Sequence, residues 1–408
     1  MKCRHCAAEL QLPFLDLGSA PHSNAYLTEA SLHLPEQWFP LRVLVCTSCW
    51  LVQTEDVVEA RALFTEEYAY FSSFSDTWLK HAEAYVAAMV DRFHLNQKSQ
   101  VIEIAANDGY LLQYVKQREI PCLGIEPTAS TAQVARAKGI EIIEDFFGTS
   151  LGSKLRTEGK QADLITANNV LAHVPDINDF LLGISALLKP EGVATFEFPH
   201  LIQLVENSQF DTIYHEHFSY LSLSALSSIV KRNNLQLFDV ENLPTHGGSL
   251  RVYAQRLDSP FYKLSPRLAE CLNLETGMGV QSKIFYSTFQ KNANKIKNEI
   301  LSFILEANRS NKTFAAYGAA AKGNTLINYA GIRPDLIPYV IDRNPAKQGK
   351  YLPGSRIPIV SETVLLEHKP DYVWILPWNL SEEIIQQLAY IREWGGQFLT
   401  AIPSLKVQ

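Results

Sequence analysis

Two sets of side chains in this sequence have types and spacings suited to chemistry: paired cysteines near the start and a histidine-rich run near the middle. The cysteines form two CxxC pairs, Cys3/Cys6 and Cys46/Cys49. Each CxxC turn directs two thiolates at one centre, and two turns complete the tetrahedral ligand set of Zn²⁺. Four thiolates leave no open position, so the pattern predicts a structural zinc ion. A redox disulfide is the alternative, and it suits a lone CxxC better than two.

The histidine-rich run, residues 214–220, reads Tyr-His-Glu-His-Phe-Ser-Tyr. It is not the HExxH motif of metalloproteases, because Ser219 stands four residues after His215. A metal-binding HxH pair remains open, although no further ligand set is evident, and so does a polar surface turn. The functional interpretation is general acid–base chemistry, because imidazole titrates near neutral pH.

The elements that must position these residues follow an α/β pattern. A helix is predicted from Trp78 to Phe93, where apolar residues recur at helical spacing. Short apolar runs then alternate with helical patterns, and the predicted strands are 101–105, 122–126, 163–168 and 193–198. Strands that alternate with helices predict a parallel sheet covered on both faces. Such sheets bind ligands beyond the carboxyl ends of their strands.

Polar residues follow these strands in a pattern that fits a nucleoside. A tight turn at 103–110 ends the first strand, and Glu126 ends the second, where a carboxylate suits a ribose diol. Asp145 beside Phe146 suits adenine. Together these features resemble the class I S-adenosylmethionine methyltransferases, although 105–107 reads Ala-Ala-Asn instead of a glycine-rich loop, so the contacts to the methionine part stay open. The predicted cofactor-binding residues are Glu103, Asn107, Asp108, Gly109, Glu126, Asp145, Phe146 and Asn168.

Longer strings resemble a narrower family. The CxxC pairs and the segments 168–173, 197–200 and 211–220 resemble the sugar C-methyltransferases of deoxysugar pathways, specifically those that methylate C3' of dTDP-linked 4-keto sugars. The resemblance spans nearly the whole chain. It implies that a base removes the proton next to the 4-keto group, and that the resulting enolate attacks the methyl group of S-adenosylmethionine.

The resemblance also implies roles for the catalytic residues. His217 is the predicted base, and Tyr214 and Glu216 position that base or the sugar. His173 is predicted to stabilise the developing oxyanion.

Further residues are predicted to bind the substrate. Tyr68 or Tyr70 closes over the sugar, and the spacing does not choose between the two. Asn169 and Glu197 follow predicted strands and belong to the same site. Lys322 is predicted to help hold the nucleotide part of the substrate.

The last third of the chain predicts a second Rossmann-like unit. A strand at 249–254 precedes a long amphipathic helix whose apolar side runs from Ile284 to Ile304, and the His-Gly-Gly at 246–248 predicts only a turn. A second strand-turn-helix pattern starts at residue 314 and contains the loop 318–324. The family resemblance implies that this loop holds a nucleotide, whereas a domain used only for packing is equally open.

Length and composition set the outer limits. A chain of 408 residues is longer than a single hydrophobic core usually accommodates, so several domains are expected. We predict a zinc-binding module at 1–65, a methyltransferase domain at 66–245 and a Rossmann-like domain with a linking helix at 246–408. The net charge of −7 does not favour nucleic acid, and no apolar run approaches the ~20 residues of a membrane span. We therefore expect a cytoplasmic protein, and we expect it to be a monomer. The family resemblance implies that its partner is a nucleoside-diphosphate sugar.

Other functions remain open at this point. One is an NAD-dependent sugar-nucleotide oxidoreductase or epimerase, although this sequence lacks the GxGxxG loop expected of such an enzyme. Another is a non-catalytic zinc scaffold for RNA or protein, which leaves residues 214–220 unexplained. A methyltransferase that acts on a heteroatom or a non-sugar acceptor is also open. The sequence does not choose between C3 and C5, name the nucleotide or fix the stereochemical outcome.

Overall fold

A computed structural model describes residues 1–57 and 71–408. The predicted substrate residues Tyr68 and Tyr70 lie outside the described residues. Among the helices in the described part, none combines the length and apolar character that a bilayer span requires.

The amino-terminal module is built on an antiparallel sheet. Strands β1 (Leu12–Ala20), β2 (Phe39–Val45) and β3 (Val52–Thr54) pair in sequence order. Strand β9 (Ser219–Tyr220) adds to the sheet beside β3, although it comes from a distant part of the chain. Because β9 belongs to the histidine-rich run, this pairing fixes that run against the module that carries the cysteines.

The central sheet is mainly parallel. Its strands are β4 (Val101–Ile104), β5 (Cys122–Ile125), β6 (Glu141–Ile143), β7 (Ala162–Asn168), β8 (Leu188–Pro199), β10 (Leu235–Leu243) and β11 (Ser249–Arg256). The order across the sheet is β10-β11-β8-β7-β4-β5-β6, with β10 and β11 antiparallel to their neighbours. The four strands predicted between residues 101 and 198 are confirmed.

Helices cover both faces of this sheet. They are α1 (Asp76–Phe93), α2 (Leu112–Lys116), α3 (Ala129–Ala137), α4 (Thr149–Thr157), α5 (Ile177–Leu187), α6 (Leu201–Glu206), α7 (Leu223–Arg232) and α8 (Pro266–Gly277). Side chains alternate along each strand, so Val101 and Leu164 pack with α1 while Ile102 and Ile165 pack with α5. Burial of both faces explains why the strands read as continuous apolar runs.

The central sheet extends past the predicted domain boundary at 245/246. Strand β11 pairs with β8 from Ser249↔Pro199 to Ala254↔Ala194, so it belongs to the methyltransferase sheet and not to the next domain. Helix α8 then packs against β10. The residues between β10 and β11 are therefore a hairpin connection, which the sequence pattern alone does not distinguish from a linker.

The carboxyl-terminal domain is a second Rossmann-like unit, as predicted. Its strands are β12 (Phe314–Tyr317), β13 (Val340–Ile341), β14 (Ile359–Val360), β15 (Tyr372–Ile375), β16 (Gln397–Thr400) and β17 (Lys406–Val407). They lie in the order β14-β13-β12-β15-β16-β17, and β17 alone of these is antiparallel. Its helices in the described residues are α11 (Ala321–Ala330), α12 (Thr363–His368) and α13 (Ser381–Gln387).

The predicted long helix is two helices, α9 (Lys283–Tyr286) and α10 (Phe289–Arg309). Ser287 donates its N–H and its hydroxyl to the carbonyl of Ile284, which competes with continued helix formation. Ile284 was predicted on the apolar side but is 82% exposed, so that assignment is wrong. The later members of the predicted stripe are buried: Phe289, Ile296, Ile300 and Ile304.

The amino-terminal module shares its core with the carboxyl-terminal domain. The ring of Phe14 on β1 stacks on Phe289 at the start of α10, with centroids 4.4 Å apart and planes 11° apart. Tyr286 meets the same ring edge-on at 5.6 Å. Residues of β12 and β15 continue this cluster. The module is therefore packed into the protein and is not an appendage.

We expect Phe14→Ala to reduce the free energy of unfolding by about 3–5 kcal/mol, because it leaves a cavity in this shared core. Urea denaturation followed by tryptophan fluorescence measures the change. Phe261→Ala is the matched control, since its ring is 59% exposed and its loss costs at most about 0.5 kcal/mol. Equal midpoints for the two variants would contradict a shared core.

Candidate active site

The four predicted zinc ligands converge at one point. Their Sγ atoms all lie within 4.8 Å of one another, with 3.6 Å between Cys3 and Cys49 and 3.5 Å between Cys6 and Cys46. Four sulfurs at ~2.3 Å from a tetrahedral zinc ion are about 3.8 Å apart, so this set fits the metal. The side-chain amide of Gln53 donates to Cys3 Sγ at 3.2 Å, which supports a thiolate there.

The zinc-binding knuckle holds the loop that follows β7. Arg4 donates to the carbonyl of Pro175 at 2.9 Å, and the Asn178 amide donates to the carbonyl of His5 at 2.9 Å. On the other side of the knuckle, the hydroxyl of Thr54 donates to the carbonyl of His217 at 3.1 Å. The module therefore fixes two segments that carry predicted catalytic residues.

A cavity of about 600 Å³ opens at the carboxyl ends of β4, β5 and β7. Its walls come from the amino-terminal module, the central sheet and the carboxyl-terminal domain. The predicted residues that line it are Asn107, Glu126, Asp145, Phe146, Asn168, Asn169, His173, Tyr214, Glu216, His217 and Lys322. The cavity therefore brings together the predicted cofactor-binding, catalytic and substrate-binding groups.

A buried carboxylate and the loop after β4 form one part of the cavity wall. Glu126, at the end of β5, is 3% exposed and accepts hydrogen bonds from the backbone N–H groups of Asn107 at 2.9 Å and Thr128 at 3.0 Å. The loop after β4 has left-handed backbone at Ala105 (φ 57°), Asn107 (φ 49°) and Gly109 (φ 75°). The loop thus keeps a conformation that favours glycine at two positions where the sequence has other residues.

Three predicted cofactor residues are not among those that line the cavity. Glu103 is buried inside β4, and burial raises the pKa of its carboxyl well above the ordinary value. Asp108 accepts the N–H of Ser73 at 3.2 Å. Gly109 is required for packing, because a Cβ there would approach Ile140 Cδ1 to 2.6 Å. These three residues therefore support the loop and are not part of the cavity wall.

Glu197, predicted to bind substrate, is also absent from the cavity wall. It pairs with Arg251 at 2.6 Å and with His81 at 2.8 Å, and its side chain is almost fully buried. Burial alone would raise the pKa of Glu197, but His81 and Arg251 lower it further than burial raises it. The carboxylate of Glu197 therefore forms a buried ion pair that joins β8 to β11.

The centre of the cavity holds a tyrosine–histidine pair. The Tyr214 hydroxyl lies 2.8 Å from His217 Nε2, and His217 Nδ1 lies 2.8 Å from the carbonyl oxygen of Thr212. A carbonyl can only accept, so Nδ1 carries the proton and Nε2 accepts from Tyr214. Burial, followed by repulsion from His173, lowers the pKa of His217 well below 6.5. The imidazole is therefore neutral at physiological pH, and its Nε2 lone pair is engaged by the Tyr214 hydroxyl.

Groups around this pair are also fixed. His173 meets the His217 ring at 4.6 Å in a T-shaped arrangement, and burial lowers the pKa of His173 to about 4. Glu216 accepts a hydrogen bond from the side-chain amide of Asn24 at 2.7 Å, so a residue of the amino-terminal module orients it.

Lys322 forms part of the wall contributed by the carboxyl-terminal domain. Its Nζ donates to Asn379 Oδ1 at 2.6 Å and lies 4.8 Å from the centre of the Trp378 ring. Burial lowers the pKa of Lys322, and the nearby Asp211 opposes that shift. Burial also raises the pKa of Asp211 to about 6.

The cavity contains residues that sequence reasoning missed, among them Asn24, Trp78, His246 and Lys347. Lys347 donates to the carbonyl of Ala319 at 2.9 Å, at the edge of the loop that carries Lys322. No motif marks Asn24 or Lys347, because only the folded chain brings them to the cavity. His246 belongs to the His-Gly-Gly string that the sequence reading treated as a simple turn.

A parallel sheet with a buried carboxylate at the end of its second strand and a neutral base in the same cavity defines a Rossmann-like methyltransferase. Family models match three successive parts of the chain: a zinc binding domain at residues 3–64, a methyltransferase domain at 78–240 and a C-methyltransferase C-terminal domain at 244–403. The C-methyltransferase NovU of Streptomyces niveus is 35% identical over 406 residues, which cover 100% of this chain and 96% of NovU. The chain belongs to this family of C-methyltransferases.

Other similarities cover less than half of the chain. The ubiquinone biosynthesis O-methyltransferase of Bordetella avium (strain 197N) is 26% identical over 102 residues, which cover 24% of this chain and 42% of that protein. The crystal structure of magnesium protoporphyrin IX methyltransferase from Synechocystis PCC 6803 aligns with a TM-score of 0.36 and 14% identity, covering 44% of this chain and 83% of that one.

The predicted class, an S-adenosylmethionine-dependent C-methyltransferase with a zinc-binding module, is confirmed by the family and the fold. The alternatives of an oxidoreductase and of a non-catalytic scaffold are therefore set aside.

We expect Cys46→Ser to release zinc and lower the melting temperature, because Cys46 is fully buried and a hydroxyl is a poor zinc ligand. Native mass spectrometry should find one zinc ion per wild-type chain and none in the variant. Cys122→Ser is the control, since Cys122 is remote from the cluster and should leave the zinc in place. Zinc retained in both variants would refute the four-cysteine site.

Proposed function

We propose that this enzyme transfers the methyl group of S-adenosylmethionine to C3 of a nucleoside-diphosphate-linked 4-keto-deoxysugar. The observation that carries the proposal is the buried Tyr214–His217 pair, which supplies a neutral base in the cavity that Glu126 also lines. A carbon acceptor needs such a base, since carbon becomes a nucleophile only after loss of a proton. A carbonyl next to that carbon makes the proton removable.

The cofactor end of the cavity fits the nucleoside. Glu126 Oε1 accepts from the N–H and the hydroxyl of Thr128, and Oε2 accepts from the N–H of Asn107, so Oε2 keeps one acceptor site for a ribose hydroxyl. Asp145 and Phe146 also line the cavity, and we assign them to the adenine. S-adenosylmethionine supplies an electrophilic methyl group when it is bound.

His217 acts as the base in this proposal. When the sugar binds, the Tyr214 hydroxyl leaves Nε2, and the freed lone pair takes the proton from C3 while the electron pair of that C–H bond moves into the enolate. The hydroxyl of Tyr214, released from Nε2, then donates to an acceptor oxygen, and His173 can support the negative charge that develops. Protonated His217 lies in a buried site near Lys322, which disfavours the charge, so the proton passes readily to solvent after methylation.

Two lysines support a diphosphate at the opposite wall. Lys322 and Lys347 both line the cavity from the carboxyl-terminal domain. Cations in a partly enclosed site attract phosphate strongly. Glu216, which Asn24 orients, also lines this cavity, and we assign it to a sugar hydroxyl.

Mass spectrometry on a panel of nucleotide-linked 4-keto-deoxyhexoses, incubated with the enzyme and S-adenosylmethionine, tests the substrate class. We expect one sugar to gain a single methyl group and the corresponding sugars without the keto group to gain none. Deuterium exchange at C3 distinguishes carbon from oxygen methylation, because only a carbon acceptor requires loss of that proton. Methylation of the reduced sugars would overturn the enolate mechanism.

We expect His217→Ala to lower kcat by at least about a hundredfold, the usual contribution of a general base, while S-adenosylmethionine still binds. Glu126→Gln is the complementary variant and should weaken S-adenosylmethionine binding, as measured by calorimetry. Turnover near the wild-type rate in His217→Ala would remove this histidine from the mechanism.

The pH profile offers a separate check on the same residue. A base whose pKa lies well below 6.5 is already unprotonated at neutral pH, so kcat/KM should not fall between pH 7.5 and about 6.5 on account of His217. A variant that loses the surrounding positive charge, Lys322→Met, should raise the pKa of His217. An acid limb that does not move in Lys322→Met would contradict this electrostatic coupling.

A further inference from the structure

The hairpin turn between β10 and β11 has an unusual backbone. His246, Gly247 and Gly248 are consecutive residues with φ of 54°, 85° and 110°. Left-handed backbone is uncommon for a residue other than glycine. The turn is closed by a hydrogen bond from the N–H of Gly248 to the carbonyl of Thr245 at 3.0 Å. The conformation of His246 is thus held by the turn that contains it.

Packing explains the two glycines. A Cβ on Gly247 would approach the Trp378 ring to 2.5 Å, and a Cβ on Gly248 would approach Gln203 Cγ to 2.6 Å. The side-chain amide of Gln209 donates to the carbonyl of Gly247 at 2.8 Å. The turn is therefore wedged between the central sheet and the carboxyl-terminal domain, which is not expected of an ordinary solvated hairpin loop.

The wedged turn presents the imidazole of His246 to the wall of the cavity. Its Nε2 lies 3.3 Å from the side-chain nitrogen of Asn169, which also lines the cavity. The Trp78 ring meets the imidazole edge-on at 5.2 Å. Trp78 in turn stacks on His81 at 4.8 Å, and His81 is paired with buried Glu197. A chain of fixed groups thus holds the ring in place.

Asn169 has the same kind of strained backbone, with φ of 57° at the end of β7. Its N–H donates to the carbonyl of Glu197 at 2.7 Å, so its position is set by the sheet. Two residues with left-handed backbone therefore hydrogen bond to each other on the wall of one cavity. Strain of this kind concentrates at functional sites, because elsewhere nothing maintains it.

The ring has one N–H group to offer. The Asn169 amide donates to Nε2, so the neutral imidazole carries its proton on Nδ1. Burial and nearby Lys322 lower the pKa of His246 to about 4, so the ring is neutral at physiological pH. Among the described residues, Asn169 is the hydrogen-bond partner of this ring. The Nδ1–H is left for a ligand in the cavity.

We propose that His246 is a further acceptor-binding residue, which donates a hydrogen bond from Nδ1–H to an oxygen of the methyl acceptor. Asn169 and the Gly247-Gly248 turn are the positioning elements that hold its ring. The inference rests on the proposed function only for the sugar nature of that acceptor. It assigns a role in substrate recognition to a string that is otherwise only a turn.

The backbone of His246 provides a clean test. His246→Gly removes the ring and suits the left-handed conformation, so the variant is expected to fold. His246→Asn keeps a polar group and also tolerates this conformation. We use the nucleotide-linked 4-keto-deoxyhexose that the wild-type enzyme methylates, and measure KM for this sugar, kcat and the Kd of S-adenosylmethionine.

We expect His246→Gly to raise the KM of the sugar about tenfold, the effect of one lost hydrogen bond, while the Kd of S-adenosylmethionine changes less than twofold. His246→Asn should recover part of the loss. His94→Gly is the matched control, because His94 has a similar φ of 52° on the surface and should leave both constants unchanged.

Two results would overturn the inference. One is a sugar KM in His246→Gly within twofold of the wild type. The other is a loss that falls on S-adenosylmethionine instead of the sugar. Wild-type turnover tests the proposed function separately. If the wild-type enzyme methylates no keto sugar, both proposals fail. If it methylates a keto sugar but the KM of that sugar does not depend on His246, only the proposal for His246 fails.

Discussion

The pairing of β3 with β9 is the constraint on which the geometry of the candidate active site depends. It joins a strand of the zinc-held module to the end of the histidine-rich run, and Thr54 extends it through its hydrogen bond to the carbonyl of His217. With that backbone anchored, the Thr212 carbonyl can dictate which nitrogen of His217 carries the proton. The zinc ion acts at a distance, because it stabilises the sheet edge against which the catalytic segment is laid.

Burial then sets the chemistry of the anchored groups. His173, His217 and Lys322 are partly buried in the cavity wall, so each resists protonation more than it would at the surface. The same burial strengthens every hydrogen bond to a charge that develops during reaction. Burial thus lowers the pKa of all three groups, and the proposed enolate would form beside them.

The sequence predicts what depends on local pattern. Parallel strands buried on both faces read as apolar runs, and paired CxxC motifs read as a metal site, so both are confirmed. Features that depend on which strands pair were harder to predict from the sequence. Glu197 was predicted to face ligand because it ends a strand, but its direct neighbour on β11 is Arg251, and that register follows from a hairpin that the pattern did not reveal. Asn24 and Lys347 reach the cavity through tertiary packing alone.

The cavity has walls from all three parts of the chain, and this has a consequence for evolution. Asn24, Glu126 and Lys347 belong to different structural units, yet they border one chamber. Exchange of a single unit with a distant relative would also break the stacked contact of Phe14 with Phe289. New acceptor preferences are therefore more accessible through point changes on the chamber walls than through recombination. We therefore expect related proteins to keep all three units together and to differ by substitutions in each of them.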